Sequence, residues 1–345
     1  MPSPIRCRAR ACVLGFLVGL SAAEARAQNM ILNGGFEDPA VPADDADGGL
    51  LIVAPAVLPG GWSVSAGSID VLRRDGATPF VTPEGVQAVD LTGMGSRGVL
   101  RRTLDATGEA VYRLSFWIAG NPTCEPGLKR VNFLLENTIF ASLAFDTTGR
   151  SPTNMGWTSY EYAFAGTDEP RILQFQSTTG TNCGIMLDDV RLEKCLEIVA
   201  HPMAQTRCEG TPALFTVGAE GAGAQYRWRR NGSLLSNGGT ISGATSPTLM
   251  ISWVAGSDAG SYSCQVFNDC GELSTHSATL AVVPSGCPGD ADGDGGVNFN
   301  DITRVLEFWN FNYAPGTGAG DVTCDGVVAF TDITRVLENW GSACR

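Results

Sequence analysis

Asp290, Asp292, Asp294, Asn298 and Asp301 stand within twelve residues of one another, with glycine at 293, 295 and 296 between them. Carboxylates two residues apart on a tight turn converge their oxygens on one point. That is chemistry for a hard divalent cation, which takes six to eight oxygen ligands. A second run, Asp321, Thr323, Asp325, Gly326 and Asp332, repeats the arrangement 31 residues later. Both runs end in the same seven residues, Asp-Ile-Thr-Arg-Val-Leu-Glu, at 301–307 and again at 332–338.

Counted from Asp290, oxygen side chains fall at positions 1, 3, 5, 9 and 12 and glycine at 6, the spacing of an EF-hand calcium loop, whose position 7 offers a backbone carbonyl, here that of Gly296. Asp301 replaces the usual glutamate at position 12, so its shorter arm must come closer to chelate. The second loop keeps aspartate at 1, 5 and 12 and glycine at 6, with Val327 at position 7, but has Thr323 at 3 and Ala329 at 9. Weaker binding is expected there. After each loop Ile302, Val305, Leu306 and Trp309, and likewise Ile333, Val336, Leu337 and Trp340, recur at the period of one apolar helix face. The proline- and glycine-rich residues 283–289 supply no helix entering the first loop.

Two loop-plus-helix calcium units in tandem, at 290–309 and 321–340, resemble a type I dockerin module spanning 285–345. The resemblance implies bound Ca²⁺ and a partner that is a cohesin module or a cell-surface scaffold, with a two-fold symmetry that lets either helix face it. Partner choice in that family lies at loop positions 10 and 11 and the following helix, which here are Phe299 and Asn300, then Phe330 and Thr331. Paired phenylalanines depart from the small hydroxyl residues of well-known dockerins. Either these rings anchor a partner or they pack inside the module against Ile302 and Ile333; a calcium-stapled terminal module without a partner is the remaining alternative.

At the other end, Arg6, Arg8 and Arg10, a short apolar run over 13–20 and Ala25-Arg-Ala27 before Gln28 read as a secretory signal peptide over residues 1–27. Its removal takes away four arginines (the fourth is Arg26) and Glu24, moving the formal charge from −13 to −16. An acidic chain of this kind is a poor partner for nucleic acid. No later segment is apolar enough to span a membrane. Without Cys7 and Cys12, nine of the eleven cysteines remain, an odd number for an oxidising compartment, so at least one is free or intermolecular.

Residues 195–284 carry Trp228, then Asp258-Ala-Gly260-Ser-Tyr262-Ser-Cys264. This pattern resembles an I-set immunoglobulin domain, in which a tryptophan fills the centre of the sandwich and a tyrosine two residues before the second cysteine forms a corner. Val217 stands where the first cysteine of the pair belongs, which makes Cys264 a buried thiol. In the strand directions of that fold Cys208 lies far from Cys270, whereas Cys195 lies near it and is the better partner. Such a domain serves as a spacer or as a binding module.

Residues 28–194 open with Asn33, Gly34, Gly35, Phe36 and Glu37 and close with Asp188, Asp189 and Leu192. With Gly61-Trp62, 87–91, 112–122 and 153–158 between them, these ends resemble a galactose-binding-like jelly roll of the DUF642 family and its bacterial relatives among exported proteins. Tyr112, Leu114, Phe116 and Ile118 alternate as a strand does, and so do Tyr160, Tyr162 and Phe164, so two antiparallel sheets packed face to face are expected. The resemblance implies either a structural calcium held by Glu37 with Asp188 or Asp189, or solvated carboxylates at strand ends. Cys124 and Cys183, each beside turn residues, suit a disulfide. For a glycan, whose apolar face stacks on aromatic rings, Trp62, Trp117, Trp157 and Tyr160 are the candidates, each of which could equally belong to the core.

The fold class expected is therefore mainly β: a jelly-roll sandwich, an immunoglobulin-like sandwich and a small α-helical calcium module. His201 and His276 are the only histidines, and no Gly-x-Ser-x-Gly, His-Glu-x-x-His, phosphate-loop or zinc-cysteine motif occurs. A secreted, non-catalytic interaction protein with a polysaccharide ligand is expected. A dockerin-borne glycoside hydrolase or polysaccharide-degrading accessory enzyme, whose paired carboxylates need no local motif, is the alternative.

Overall fold

The computed structural model describes residues 28–42, 49–75, 80–125, 127–180, 182–283, 288–313 and 319–343. The segment expected to be a signal peptide, and part of the proline- and glycine-rich segment before the first acidic loop, lie outside the described residues. The chain forms two compact units, divided between Cys195 and Leu196.

The first unit is a sandwich of two antiparallel sheets. One sheet runs, in spatial order, Gly49–Val53, Ser68–Arg73, Gln87–Asp90, Ile185–Ala200, Ala110–Gly120 and Thr158–Ala165. The other runs Thr138–Asp146, Leu128–Leu135, Arg171–Ser177, Val99–Leu104, Trp62–Ala66 and Ala56–Leu58. The alternation read in the sequence sends Tyr112, Leu114, Phe116 and Ile118 into the core between them. There Phe116 meets Phe175 edge-on at 4.9 Å and Phe133 at 5.7 Å. Such offset aromatic contacts add to the burial of large apolar area.

The two ends of this unit come together as their signatures require. The amide of Val190 donates to the carbonyl of Gly34, and a Cβ at Gly34 would collide with the backbone of Val190. Only glycine allows the opening turn to lie this close to the closing strand. Cys124 and Cys183 form a disulfide.

In the second unit, residues 205–283 build an immunoglobulin-like sandwich. One sheet holds Gln205–Cys208, Ala278–Val283, Gly260–Phe267, Gln225–Arg230 and Ser233–Leu234, with Glu272–Ser274 beside Gly260–Phe267. The other holds Ala213–Thr216, Thr248–Ile251 and Ile241–Ser242. Trp228 is fully buried, Tyr262 stacks on Phe215 at 4.6 Å, and the Tyr262 hydroxyl donates to the Asp258 carbonyl at 2.7 Å, which is the tyrosine corner. Cys264 is a free, wholly buried thiol and Val217 is likewise buried; burial pushes the thiol up to about 11, so it is inert as a nucleophile. Cys195 and Cys270 are each disulfide-bonded.

Two nine-residue helices, α1 (Phe299–Glu307) and α2 (Phe330–Glu338), complete the second unit. Their common core is four valines, Val297, Val305, Val328 and Val336. The pairing is reciprocal. Val297 of the first loop exchanges backbone bonds with Gly341 and Ser342 beyond α2, while Val328 of the second loop bonds Asn310 and Phe311 beyond α1. Neither repeat can bury its apolar residues alone, so the two fold as a pair.

Candidate functional site

The first acidic loop is built around Asp301. Its side chain is completely buried; one carboxylate oxygen accepts the amides of Ala291 and Asp292 at 2.6 and 3.2 Å, and the other accepts that of Asn298 at 2.7 Å. Asp290 accepts the amides of Gly293 and Gly295 across the turn. Asn298 caps α1 by accepting the amide of Asn300, which satisfies one of the helix's orphan donors. Carboxylate oxygens of Asp290, Asp292 and Asp301 lie within 4.8 Å of one another. Like charges held this close in a glycine-rich turn fit a divalent cation, and Asp294, Asn298 and the Gly296 carbonyl stand in the same loop.

The second loop shares the frame but not the convergence. Asp332 is buried and accepts from the amide and hydroxyl of Thr323 and from the amide of Ala329; Asp321 accepts from Asp325 and Gly326. Burial, with neighbouring carboxylates adding to it, pushes both Asp321 and Asp332 above the ordinary range. Asp321, Asp325 and Asp332 do not close to the three-carboxylate cluster seen in the first loop. Ala329 at position 9 gives α2 no side-chain cap, in contrast to Asn298.

Beside these loops, Phe299 is 68% and Phe330 69% exposed. The alternative in which both rings pack inside against Ile302 and Ile333 is therefore corrected: the four-valine core is complete without them. The single apolar face read on each helix also divides. Val305 and Val336 turn inward, while Leu306 with Trp309, and Leu337 with Trp340, are exposed on the side of Phe299 and Phe330.

One bond escaped sequence reasoning. Cys324, at position 4 of the second loop, is joined to Cys208 of the immunoglobulin-like sandwich, with 5.2 Å between Cα atoms. Nearby, the Arg335 guanidinium lies 5.1 Å over the Trp253 ring and donates to the Glu209 carbonyl at 3.3 Å. Its repeat-mate Arg304 is half-exposed, lies 4.5 Å over the Phe308 ring of its own repeat and pairs with Glu307 on its own helix. The second repeat is thus clamped to the immunoglobulin-like domain, and among the described residues no disulfide holds the first. The sequence signal was the odd position of a cysteine inside an acidic loop.

In the first unit the proposed acids gather without converging. Glu37 accepts the amides of Val86 and Gln87 at 2.7 and 2.9 Å, Asp188 those of Glu84 and Asp189, and Asp189 pairs with Arg191 at 2.7 Å. Among the described residues these acids do not form a three-ligand cluster. They act as acceptors that tie the opening turn and closing strand to residues 84–87.

The aromatic candidates separate clearly. Trp62 is wholly buried, packed 5.2 Å from Phe36, with its indole N–H donating to the Asn33 carbonyl. It cannot stack on a sugar, a correction that follows from its place in the sandwich core. Tyr160 pairs across strands with Phe116 and stacks on it at 6.0 Å from the core side. Trp157 is half-buried and donates to the Val81 carbonyl at 2.6 Å. Trp117, half-buried, points to the opposite side of its sheet from Phe116.

Comparison with known proteins agrees with this architecture. A family model described as "Protein of unknown function (DUF642)" matches residues 29–193, and one described as "Immunoglobulin I-set domain" matches residues 196–282. Among solved structures, the chain is similar to the Ig-like domain of human leucine-rich repeat-containing protein 4 (30% identity, 26% of this chain and 87% of that one, TM-score 0.23). It is also similar to the CBM22-1 xylan-binding domain of Paenibacillus barcinonensis Xyn10C (13% identity, 42% and 92%, TM-score 0.29) and to domain I81 of titin (17%, 26% and 96%, TM-score 0.21). The strand pairings, rather than these low scores, define the folds. A DUF642 domain followed by an immunoglobulin I-set domain, with disulfides in both units, is the make-up of an extracellular interaction or binding protein. Among the described residues no helix is long and apolar enough to cross a membrane.

Proposed function

We propose that the protein is an exported, non-catalytic binding protein. It docks through calcium-loaded C-terminal repeats to a cohesin-like module or cell-surface scaffold, and presents a carbohydrate-binding β-sandwich on an immunoglobulin-like spacer. The observation that carries this reading is the duplicated aromatic face. Each repeat shows solvent a phenylalanine, a leucine and a tryptophan in the same order, Phe299, Leu306 and Trp309, then Phe330, Leu337 and Trp340. Exposed apolar patches of this kind mark interaction sites, and aromatic anchors at the centre of an interface carry most of its energy.

Asp290, Asp292, Asp294, Asn298, Asp301 and the Gly296 carbonyl would hold the calcium of the first repeat; Asp321, Thr323, Asp325, Asp332 and the Val327 carbonyl would hold that of the second, more weakly. When bound, the ion supplies charge neutralisation and a cross-link between loop and helix. Asp301 and Asp332 anchor the first turn of each helix and so fix where Phe299 and Phe330 point.

The test measures binding of the mature chain to a cohesin module from the same genome by surface plasmon resonance, in millimolar calcium and in EDTA. Binding should require calcium, survive loss of either Phe299 with Asn300 or Phe330 with Thr331, and disappear when both pairs are replaced by alanine while the calcium-dependent melting transition is kept. Binding that persists in the four-residue variant, or in EDTA, refutes the docking reading.

A further inference from the structure

The first unit contains a cleft of about 210 Å³. Alternation along the strands accounts for its floor. Asp70, Leu72, Asp90 and Met186 alternate with Val71, Val89 and Leu187 and so share the opposite face of the sheet, where Asp70 and Asp90 are direct cross-strand partners and Met186 faces Asp90. Loop residues Phe80, Pro122, Pro152, Met155 and Asn182 close the walls. Sequence reasoning missed this site, although Asp90 and Asn121 lie in segments it had singled out.

Asp90 builds the cleft. It is buried, one oxygen accepts the amides of Thr92 and Gly184 at 2.8 and 3.0 Å, and the other accepts the Asn121 side chain at 2.7 Å and again the Gly184 amide at 3.1 Å. A Cβ at Gly184 would collide with Thr92, and the disulfide joins the neighbouring Cys183 to Cys124. With both oxygens committed, Asp90 has none left for a ligand or for attack on one.

Asp70 differs. It is half-buried, lines the same cleft, and among the described residues its carboxylate accepts no hydrogen bond. Burial pushes it up to about 6, the mark of an acid deprived of water without receiving a protein donor. Asn182 offers an exposed amide in the same cleft, and Phe80, Leu72 and Met155 provide apolar surface. Among the described residues no basic side chain lines the cleft.

We propose that this cleft binds one neutral sugar unit of a glycan, with Asp70 and Asn182 taking its hydroxyls and Phe80 its apolar face. The inference deepens the carbohydrate-binding reading of the N-terminal sandwich and rests on it. The volume suits a single ring, being smaller than the roughly 300–1,000 Å³ of clefts for larger ligands. A carboxylate acceptor with no cationic partner selects hydroxyl donors and repels uronates. Hydrolysis would need a second free carboxylate, and Asp90 is not free.

The mature protein is screened on a glycan array, then titrated calorimetrically with the methyl glycosides of glucose, galactose and xylose and with galacturonic acid. Wild type, Asp70→Asn, Asn182→Ala and Phe80→Ala are compared, with near-ultraviolet circular dichroism as a check of folding. At least one neutral glycoside should bind, galacturonic acid should not, and Asp70→Asn should weaken binding tenfold or more with an unchanged spectrum. Array binding that is unaffected by all three folded variants overturns the cleft assignment while leaving the carbohydrate reading intact. An array with no hits removes both. Saturable binding of calcium alone, lost in Asp70→Asn, or glycoside hydrolysis lost in the same variant, overturns the proposal in favour of a metal site or an enzyme.

Discussion

Replacing Asp301 with alanine should unfold the module of two C-terminal repeats rather than merely weaken the calcium affinity proposed for it. The buried carboxylate accepts three backbone amides, from Ala291, Asp292 and Asn298. Hydrogen bonds to a charged group contribute about 1.5–3 kcal/mol each, and a buried donor left unpaired costs about 1–3 kcal/mol. Allowing water to reach one of the three, the loss is about 3–6 kcal/mol. Against this stands a core of four valines, each contributing about 1.5–3 kcal/mol before chain entropy is counted. The margin of so small a module cannot absorb the change. Asp301→Asn keeps the volume and one acceptor, and should cost less than half as much. Calorimetric melting of the mature chain in EDTA and in calcium, with Trp309 and Trp340 fluorescence reporting on the module, provides the assay. For wild type, calcium at a hundred times its dissociation constant should raise the module's stability by about 2.7 kcal/mol. That rise should vanish in Asp301→Ala together with the transition itself. A variant that melts like wild type in both conditions would refute the reasoning.

Three further outcomes follow from the same geometry. Breaking the clamp with Cys208→Ser and Cys324→Ser removes a cross-link spanning 116 residues, an entropic stabilisation of up to about 5 kcal/mol; non-reducing thermal melts should show the C-terminal module unfolding earlier, and an unchanged melt would mean the packing around Arg335 suffices. Arg335→Ala should destabilise the second unit by about 1–2 kcal/mol through lost contact with Trp253 and Glu209, whereas Arg304→Ala, which loses the more exposed contacts with Phe308 and Glu307, should cost about 0.5 kcal/mol, and equal effects in chemical denaturation would contradict the asymmetry. Burial raises Asp188 to about 8, Asp90 to about 7 and Asp70 to about 6, so the folded first unit favours their protonated forms; the associated stability is fully present below the ordinary carboxylate value of about 4 and is lost as pH rises through 6 to 8. The unit's melting temperature should fall between pH 5 and pH 8, and a profile that rises over that window would show that another group dominates.

What the sequence determined is what short-range chemistry fixes. Ligand spacing from Asp290 to Asp301 dictates a convergent acidic turn, because alternate side chains on a glycine-bearing loop can point only inward. Strict alternation through Tyr112, Leu114, Phe116 and Ile118 dictates a half-buried strand, and the Asp258-x-Gly260-x-Tyr262-x-Cys264 run dictates a tyrosine corner whose hydroxyl needs a local acceptor. Long-range placement was decided only by the tertiary structure. Identical heptapeptides put Arg304 over Phe308 of its own repeat and Arg335 against Trp253, since among the described residues it is the second repeat that is bonded to the immunoglobulin-like sandwich. Trp62, Trp117, Trp157 and Tyr160 look alike as letters; which ring meets solvent depends on the sheet it faces. Cys208 and Cys324 are 116 residues apart, and nothing local joins them. Asp70 and Asp90 become one cleft only because two strands pair in a register that sets them side by side, and a neighbouring strand and four loops then fence them off from bulk water.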